Sequence, residues 1–185
     1  MSAALKEWAA AVHAMLDGRQ TILLRKGGIH EKRFDVTAHE FLLFPTVAHS
    51  HAERVRPEHQ DLLVPAAADS TEDHLTIRAA ARVVAAVAVD EPEGLEQIAD
   101  LHIWTTESVR ADRLDFRPKH RLTVLVVQAF PLLEPLRLPR LPDYAGCKSW
   151  VTLPGSAALA DPVHDVATLG AIAERVHTAV ARDAT

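Results

Sequence analysis

Residues 11–25, AVHAMLDGRQTILLR, constrain this chain more than any other stretch. Leu5, Trp8, Val12, Met15 and Leu16 recur at helical spacing, so the reading predicts a helix that begins near Ser2 as its cap. Lys6, Glu7, His13 and Asp17 fall on its other faces, and Gly18 stands where a left-handed C′ glycine ends a helix. Thr21 to Arg25 then reads as a short strand. Helix, tight turn and strand in that order, followed by the apolar run EFLLFPT over Glu40–Thr46, suit a small barrel.

The remaining elements follow from the same periodicities. Residues 48–63 are mostly polar and read as a short helix or loop over the surface, and 64–73 as an exposed acidic loop. Residues 76–89 mix alanine with Val83, Val84, Val87 and Val89; the β-branched residues favour strand, and Asp90-Glu91-Pro92 stops it. Pro92 suits the first turn of a short helix to Ala99. Residues 101–104 are a brief extended piece, and 106–114 a helix capped by Thr105 or Thr106. Residues 121–130, RLTVLVVQAF, are apolar on both faces and predict a central strand. Prolines 131, 135, 139 and 142 leave room for an edge strand at 136–138. Gly146 turns the chain into a last short strand before Leu153, and the spacing of Val166, Leu169, Ile172, Val176 and Val180 gives a terminal helix over 161–182. The expected architecture is α+β: one domain over 1–153, a mixed barrel with flanking helices, and a C-terminal helical appendage over 154–185.

Composition limits the function. At 185 residues and 48% hydrophobic content the chain can bury a core, and no apolar run approaches the roughly 20 residues that span a bilayer. No basic-then-apolar leader opens the sequence, which makes cytoplasm the expected compartment. A lone cysteine, Cys147, excludes an internal disulfide and a multi-cysteine zinc site. The formal charge of −5 argues against a bulk polyanion binder, but the basic residues gather at 25–26, 32–33, 110–121 and 137–140, so a local basic cleft on an acidic body remains open. A phosphate-cradling P-loop, a dinucleotide fingerprint and a serine nucleophile elbow are all absent from the sequence.

Within those limits a few residues stand out. Arg25 and Lys26 precede Gly27-Gly28, where backbone can approach a ligand closely, and Arg25 has the fork to grip a phosphate or carboxylate. The alternative for Arg25 is an ordinary ion pair with Glu40 or Glu31. Arg117, Lys119, His120 and Arg121 stand just before the central strand and are placed either to contact phosphates at a barrel mouth or to form a solvated turn. Trp104 and Trp150 are stacking candidates or core residues. His39, His49, His51 and His59 crowd one region without a compact metal signature, so the reading is surface histidines, no metal and no cofactor. Cys147 beside Lys148 is an activated thiol only if a cation lowers its pKa.

Two resemblances enter on particular motifs. LKEW (5–8), LLRKGGI (23–29), EFLLFPT, FRPKH (116–120) and YAGCKSW (144–150) make the chain to about Leu153 resemble an uncharacterised bacterial family defined only as a domain of unknown function. In addition, a helix followed by Gly-x-Lys-x-x-Glu-x-Arg marks the ASCH domains of the PUA-like superfamily. Here Gly18 and Arg25 match, while Gln20 stands at the lysine and Leu23 at the glutamate. The passage from VVQAFPLLEPLRLP to Gly146-x-Lys148 is also similar to that fold's closing strands. The resemblance implies a PUA-like barrel that binds RNA or modified nucleotides; some ASCH members hydrolyse acylated cytidine with the motif lysine, a task an amide side chain does not perform.

Together these give a first reading: a binding module for RNA or a nucleotide-like small molecule, its cleft built from Arg25, Lys26, Lys119, Arg121, Lys148 and Trp150. A hydrolase of a small modified nucleoside or amide, with Glu40 and His39 or a lysine as the acid/base pair, is the second. A structural or partner-binding protein that docks through its terminal helix is the third.

Overall fold

The computed structural model describes residues 1–26, 34–47, 50–116, 118–146 and 148–182, and among these lie six strands and five α-helices. The strands are β1 (Ser2–Trp8), β2 (Ile22–Lys26), β3 (Glu40–Thr46), β4 (His74–Ala88), β5 (Leu122–Pro139) and β6 (Trp150–Leu153). They form one mixed sheet in the order β2-β5-β4-β3-β1-β6, parallel only between β1 and β3. The helices are α1 (Ala9–Leu16), α2 (His51–Arg54), α3 (Leu63–Ala68), α4 (Thr106–Val109) and α5 (Val166–Val180), and 3-10 turns cover Pro57–Leu62 and Pro92–Leu101. The fold is α+β, as expected.

The sheet curls around its own side chains. Leu5, Leu23, Phe41, Leu43, Ala81, Leu125 and Val127 alternate along five strands and meet in a single cluster, which Val12 and Met15 of α1 join. This is the filled interior of a small barrel. On the outer face of β2 and β5, Ile22, Leu24, Val124 and Val126 pack with Leu169, Val176 and Val180 of α5. Those three α5 residues are fully buried, so residues beyond 153 complete the same core. The helix begins at Val166, where the Asp165 side chain accepts from Thr168 N at 2.7 Å.

Close packing fixes the approach of α5. Arg175 bonds the Asp100 carboxylate and the Gln97 carbonyl. A Cβ built on Gly94 would stand 1.7 Å from the Ala179 carbonyl oxygen, so only glycine lets the Pro92–Leu101 turn lie against the end of α5.

Several sequence expectations are corrected. Residues 2–8 are strand, not the start of a helix: Leu5 and Lys6 register with Leu43 and Phe44, and β6 takes the other edge. The helix starts at Ala9 and is buried nearly all round, because Ala9, Ala10, Ala11 and Ala14 are small enough to let other elements close over it. Gly18 does end it, at φ 73. Residues 63–68 form α3 rather than an exposed loop, and Asp69 after it is buried between His13 (2.7 Å) and Arg78 (2.8 Å). The expected edge strand at 136–138 is the far part of β5, which continues past Pro131 and Pro135 although its pairing with β4 shifts register between Pro131 and Leu136. There β2 has ended, and residues 158–163 take over that edge: Leu133 N donates to Ala158 O and Val163 N to Ala129 O, so proline costs the ladder little.

Candidate functional site

The ends of β2 and β5 lie side by side, and the chemistry-bearing residues around them divide into a closed cluster and an open cavity. Arg25 belongs to the closed one. Its Nη1 donates to the Lys6 carbonyl at 3.0 Å and to Glu7 Oε2 at 3.2 Å, and its guanidinium lies 5.1 Å over the Phe34 ring. Glu7, 3% exposed, also accepts from Trp8 N at 2.8 Å. The ionic partner of Arg25 is Glu7, and Glu40 pairs instead with Arg82 at 2.7 Å; Glu31 lies outside the described residues. Backbone pairing stops at β2 on one side of the sheet, so Arg25 ties β2 to β1 where no strand-to-strand ladder does.

Lys26, the next residue, points to the open side. Its Nζ donates to the Leu114 carbonyl at 3.2 Å and to the Phe116 carbonyl, at the end of the π-helical turn Arg110–Asp115. Burial lowers its pKa, the neighbouring Arg113 adds to the effect and Asp115 opposes it. Lys26, Arg113, Lys119, His120 and Arg121 line one cavity of about 240 Å³, floored by Leu122. The cavity therefore gathers three of the six ligand residues expected from sequence and adds Arg113, which was not expected.

Arg113 is the informative member. Burial lowers the pKa of its guanidinium; Arg25 and Arg54 lower it further, against Glu7 and Asp112. Among the described residues it makes no hydrogen bond or ion pair. Its neighbours are committed elsewhere: Arg54 bonds Asp112 at 2.5 Å and Arg25 holds Glu7. Arg121 reaches Asp90 at 3.6 Å, while Nδ1 of His120 is buried without a partner. A partly desolvated arginine whose nearby carboxylates are bonded to other arginines has the chemistry to take an anion.

The other expected residues lie elsewhere. Lys148 and Trp150 line a separate, shallow groove with Met1 and Tyr144. Trp150 Nε1 donates to the Asp35 carbonyl at 3.3 Å, and its ring lies 6.0 Å from Phe34 and 5.0 Å from Phe41. Glu40 and the exposed His39 line neither cavity. Gln20, standing where the ASCH motif has lysine, is 2% exposed; Nε2 donates to Ile22 O at 2.9 Å and Oε1 accepts from Ile103 N at 3.3 Å. It is a stitch between β2 and the 101–103 segment. Residues 27–33, His49, Arg117 and Cys147 lie outside the described residues.

Not all histidines are on the surface. His51 is 6% exposed, its ring 4.2 Å from Trp8, and burial together with Arg54 pushes its pKa down to about 4. Trp104 closes the same box 5.1 Å from Trp8 and belongs to the core. The space left beside these rings, about 10 Å³, has room for one water and no more. Among the described residues no three His, Cys, Asp or Glu side chains are grouped to hold a metal ion, and no helix is long and apolar enough to cross a membrane.

A family model described as "Domain of unknown function (DUF1802)" matches residues 4–175. No curated protein matches the chain. Among solved structures, the ASCH protein from Zymomonas mobilis is similar at 14% identity and a TM-score of 0.46, over 82% of this chain and 86% of that one. A tyrosine-to-phenylalanine variant of that protein gives 14% identity and a TM-score of 0.43, over 82% and 88%. A serine-to-alanine variant gives 13% and 0.41, over 93% and 94%. Both resemblances drawn from the sequence return here, and neither assigns a ligand.

Proposed function

We propose that this chain, which belongs to the DUF1802 family, binds RNA or a nucleotide-like ligand through its phosphate in the basic cavity of Lys26, Arg113, Lys119 and Arg121. The observation that carries this reading is Arg113. It makes no hydrogen bond or ion pair among the described residues, the nearby carboxylates Glu7 and Asp112 being held by Arg25 and Arg54, and a partly buried guanidinium beside Lys26 is stabilised by an anion that enters. Lys26 is held by two carbonyls and so needs little ordering when the ligand arrives. Lys119 and Arg121 are exposed at the rim, where they attract a phosphate and speed its arrival. The body is acidic overall, which disfavours polyanion binding spread over the whole surface.

The test is a salt titration of binding to a short single-stranded RNA and, separately, to adenosine 5′-monophosphate. If about three cations meet RNA phosphates, log K falls with log salt at a slope of roughly −2. Reversing Lys119 and Arg121 to Glu together should abolish binding and leave thermal unfolding unchanged. Binding to neither ligand at low salt, or full binding by the double variant, would refute the proposal. Arg25 is unsuitable for such a test because it holds the fold.

A further inference from the structure

A second cavity, of about 290 Å³, adjoins the basic one; Pro92 and Leu114 belong to the walls of both. Its lining is mixed, with three carboxylates (Glu93, Glu96, Asp115) against one cation, Arg110. Leu95 and Val109 are buried apolar walls, and Glu93 and Glu96 supply exposed carboxylates. His102 also lines it and is 3% exposed. Nδ1 of His102 accepts from Trp104 N at 3.1 Å, so in the neutral ring the proton sits on Nε2. Burial, with Arg56 and His59 against Asp100, pushes its pKa down to about 4 and keeps the ring neutral at pH 7. Among the described residues Nε2 has no partner. A fixed donor with no protein partner among the described residues, beside the apolar side chains of Leu95 and Val109, is what an orienting polar group of a ligand site looks like.

We infer that the second cavity receives the base of a nucleotide whose phosphate lies in the basic cavity, with His102 Nε2–H donating to a ring acceptor of that base. This rests on the function proposed above and extends it. The apolar walls suit the faces of a flat ring, and the carboxylates of Glu93 and Glu96 accept from an amino group on its edge. Glu93, Glu96 and Asp115 outnumber Arg110 on these walls and disfavour phosphate there, which favours one orientation of the ligand. Adenine offers both ring acceptors and an amino group, which makes adenosine 5′-monophosphate the appropriate probe.

The experiment compares adenosine 5′-monophosphate with ribose 5-phosphate by calorimetry on the full chain. The nucleotide should bind at least 10-fold more tightly. Ala99→Trp and Thr106→Trp fill the second cavity from two different segments, and each should bring the nucleotide down to the affinity of ribose 5-phosphate without changing the latter. Two variants are used so that a folding defect in one does not decide the result. Equal affinity of the two ligands for the unaltered protein, or unchanged nucleotide preference in both variants, overturns the inference while leaving the phosphate cavity standing. Binding of neither ligand overturns the phosphate cavity itself and the inference with it.

Discussion

Lowering the pH from 7 to 5 should destabilise this protein well before its carboxylates respond. His51 and His102 are 6% and 3% exposed, and each has a folded-state pKa of about 4 against 6.5 for the free side chain. A folded pKa below the unfolded one means that the unfolded chain binds the extra proton. Stability is therefore full above about pH 6.5 and declines as pH falls toward 4. For a shift of this size the loss between pH 7 and 5 is about 2 kcal/mol per histidine, or about 4 kcal/mol together, a large part of the 5–15 kcal/mol typical of a domain. His59 is shifted in the same direction by burial and Arg56. Asp61, Asp100 and Asp165 are held below the usual carboxylate range by Arg19, by Arg175 and by Thr168 respectively, so what they contribute is lost only below about pH 3.8. The window between pH 4 and 6.5 thus isolates the histidines. Urea unfolding at pH 7 and pH 5 measures the effect, with His51→Phe to keep a ring against Trp8 and His102→Asn to keep an acceptor for Trp104 N. Each variant should remove about half of the pH-dependent loss. If both retain the slope of the unaltered protein, the two rings are not the buried neutral groups described here.

Two further perturbations test the packing and the ionic seam. Gly94→Ala places a methyl against the Ala179 carbonyl, where backbone rather than a flexible side chain must move; thermal unfolding should register a loss of about 3 kcal/mol, at the upper end for overpacking. Glu7→Gln leaves the guanidinium of Arg25 buried without its counter-charge and should cost about 3 kcal/mol in urea unfolding, whereas Glu40→Gln, which unpairs only the exposed Arg82, should cost less than about 1 kcal/mol.

What could be read from the chain depended on how far away the deciding partner lay. Glu40–Thr46 was legible because its apolar run ends at a proline and both its faces are buried. The turn at Gly18 and the cap at Thr105 were legible because each is settled within a few residues. Residues 2–8 were not: Leu5, Trp8 and Val12 happen to keep a helical period, but the partners that make β1 a strand are 42–46 and 150–153. Asp69 looked like part of an acidic surface run because nothing local announces His13 and Arg78. The site divided the same way. Lys119 and Arg121 share their cavity with Lys26 because β2 pairs with the start of β5. Arg113 carries no sequence signal that separates it from Arg110 three residues earlier; only the packing of the π-helical turn against β2 distinguishes them. Arg25 forms the internal ion pair that was its alternative, but with Glu7, which no local pattern marks as its partner.

The position of β1 between β3 and β6 has a consequence for the order in which the chain can assemble. Residues 2–8 are made before the other strands of this sheet, yet among the described residues one of their two edges is matched by residues 150–153, and the helix that covers the outer face of β2 and β5 comes later still. Until then Leu5 and its neighbours present a strand edge with open donors and acceptors. Folding is accordingly governed by contacts of long sequence separation, which close slowly. A growing chain on the ribosome would carry this unfinished edge until residues 150–153 have emerged, and shielding it during that interval is a demand that the folded molecule no longer displays.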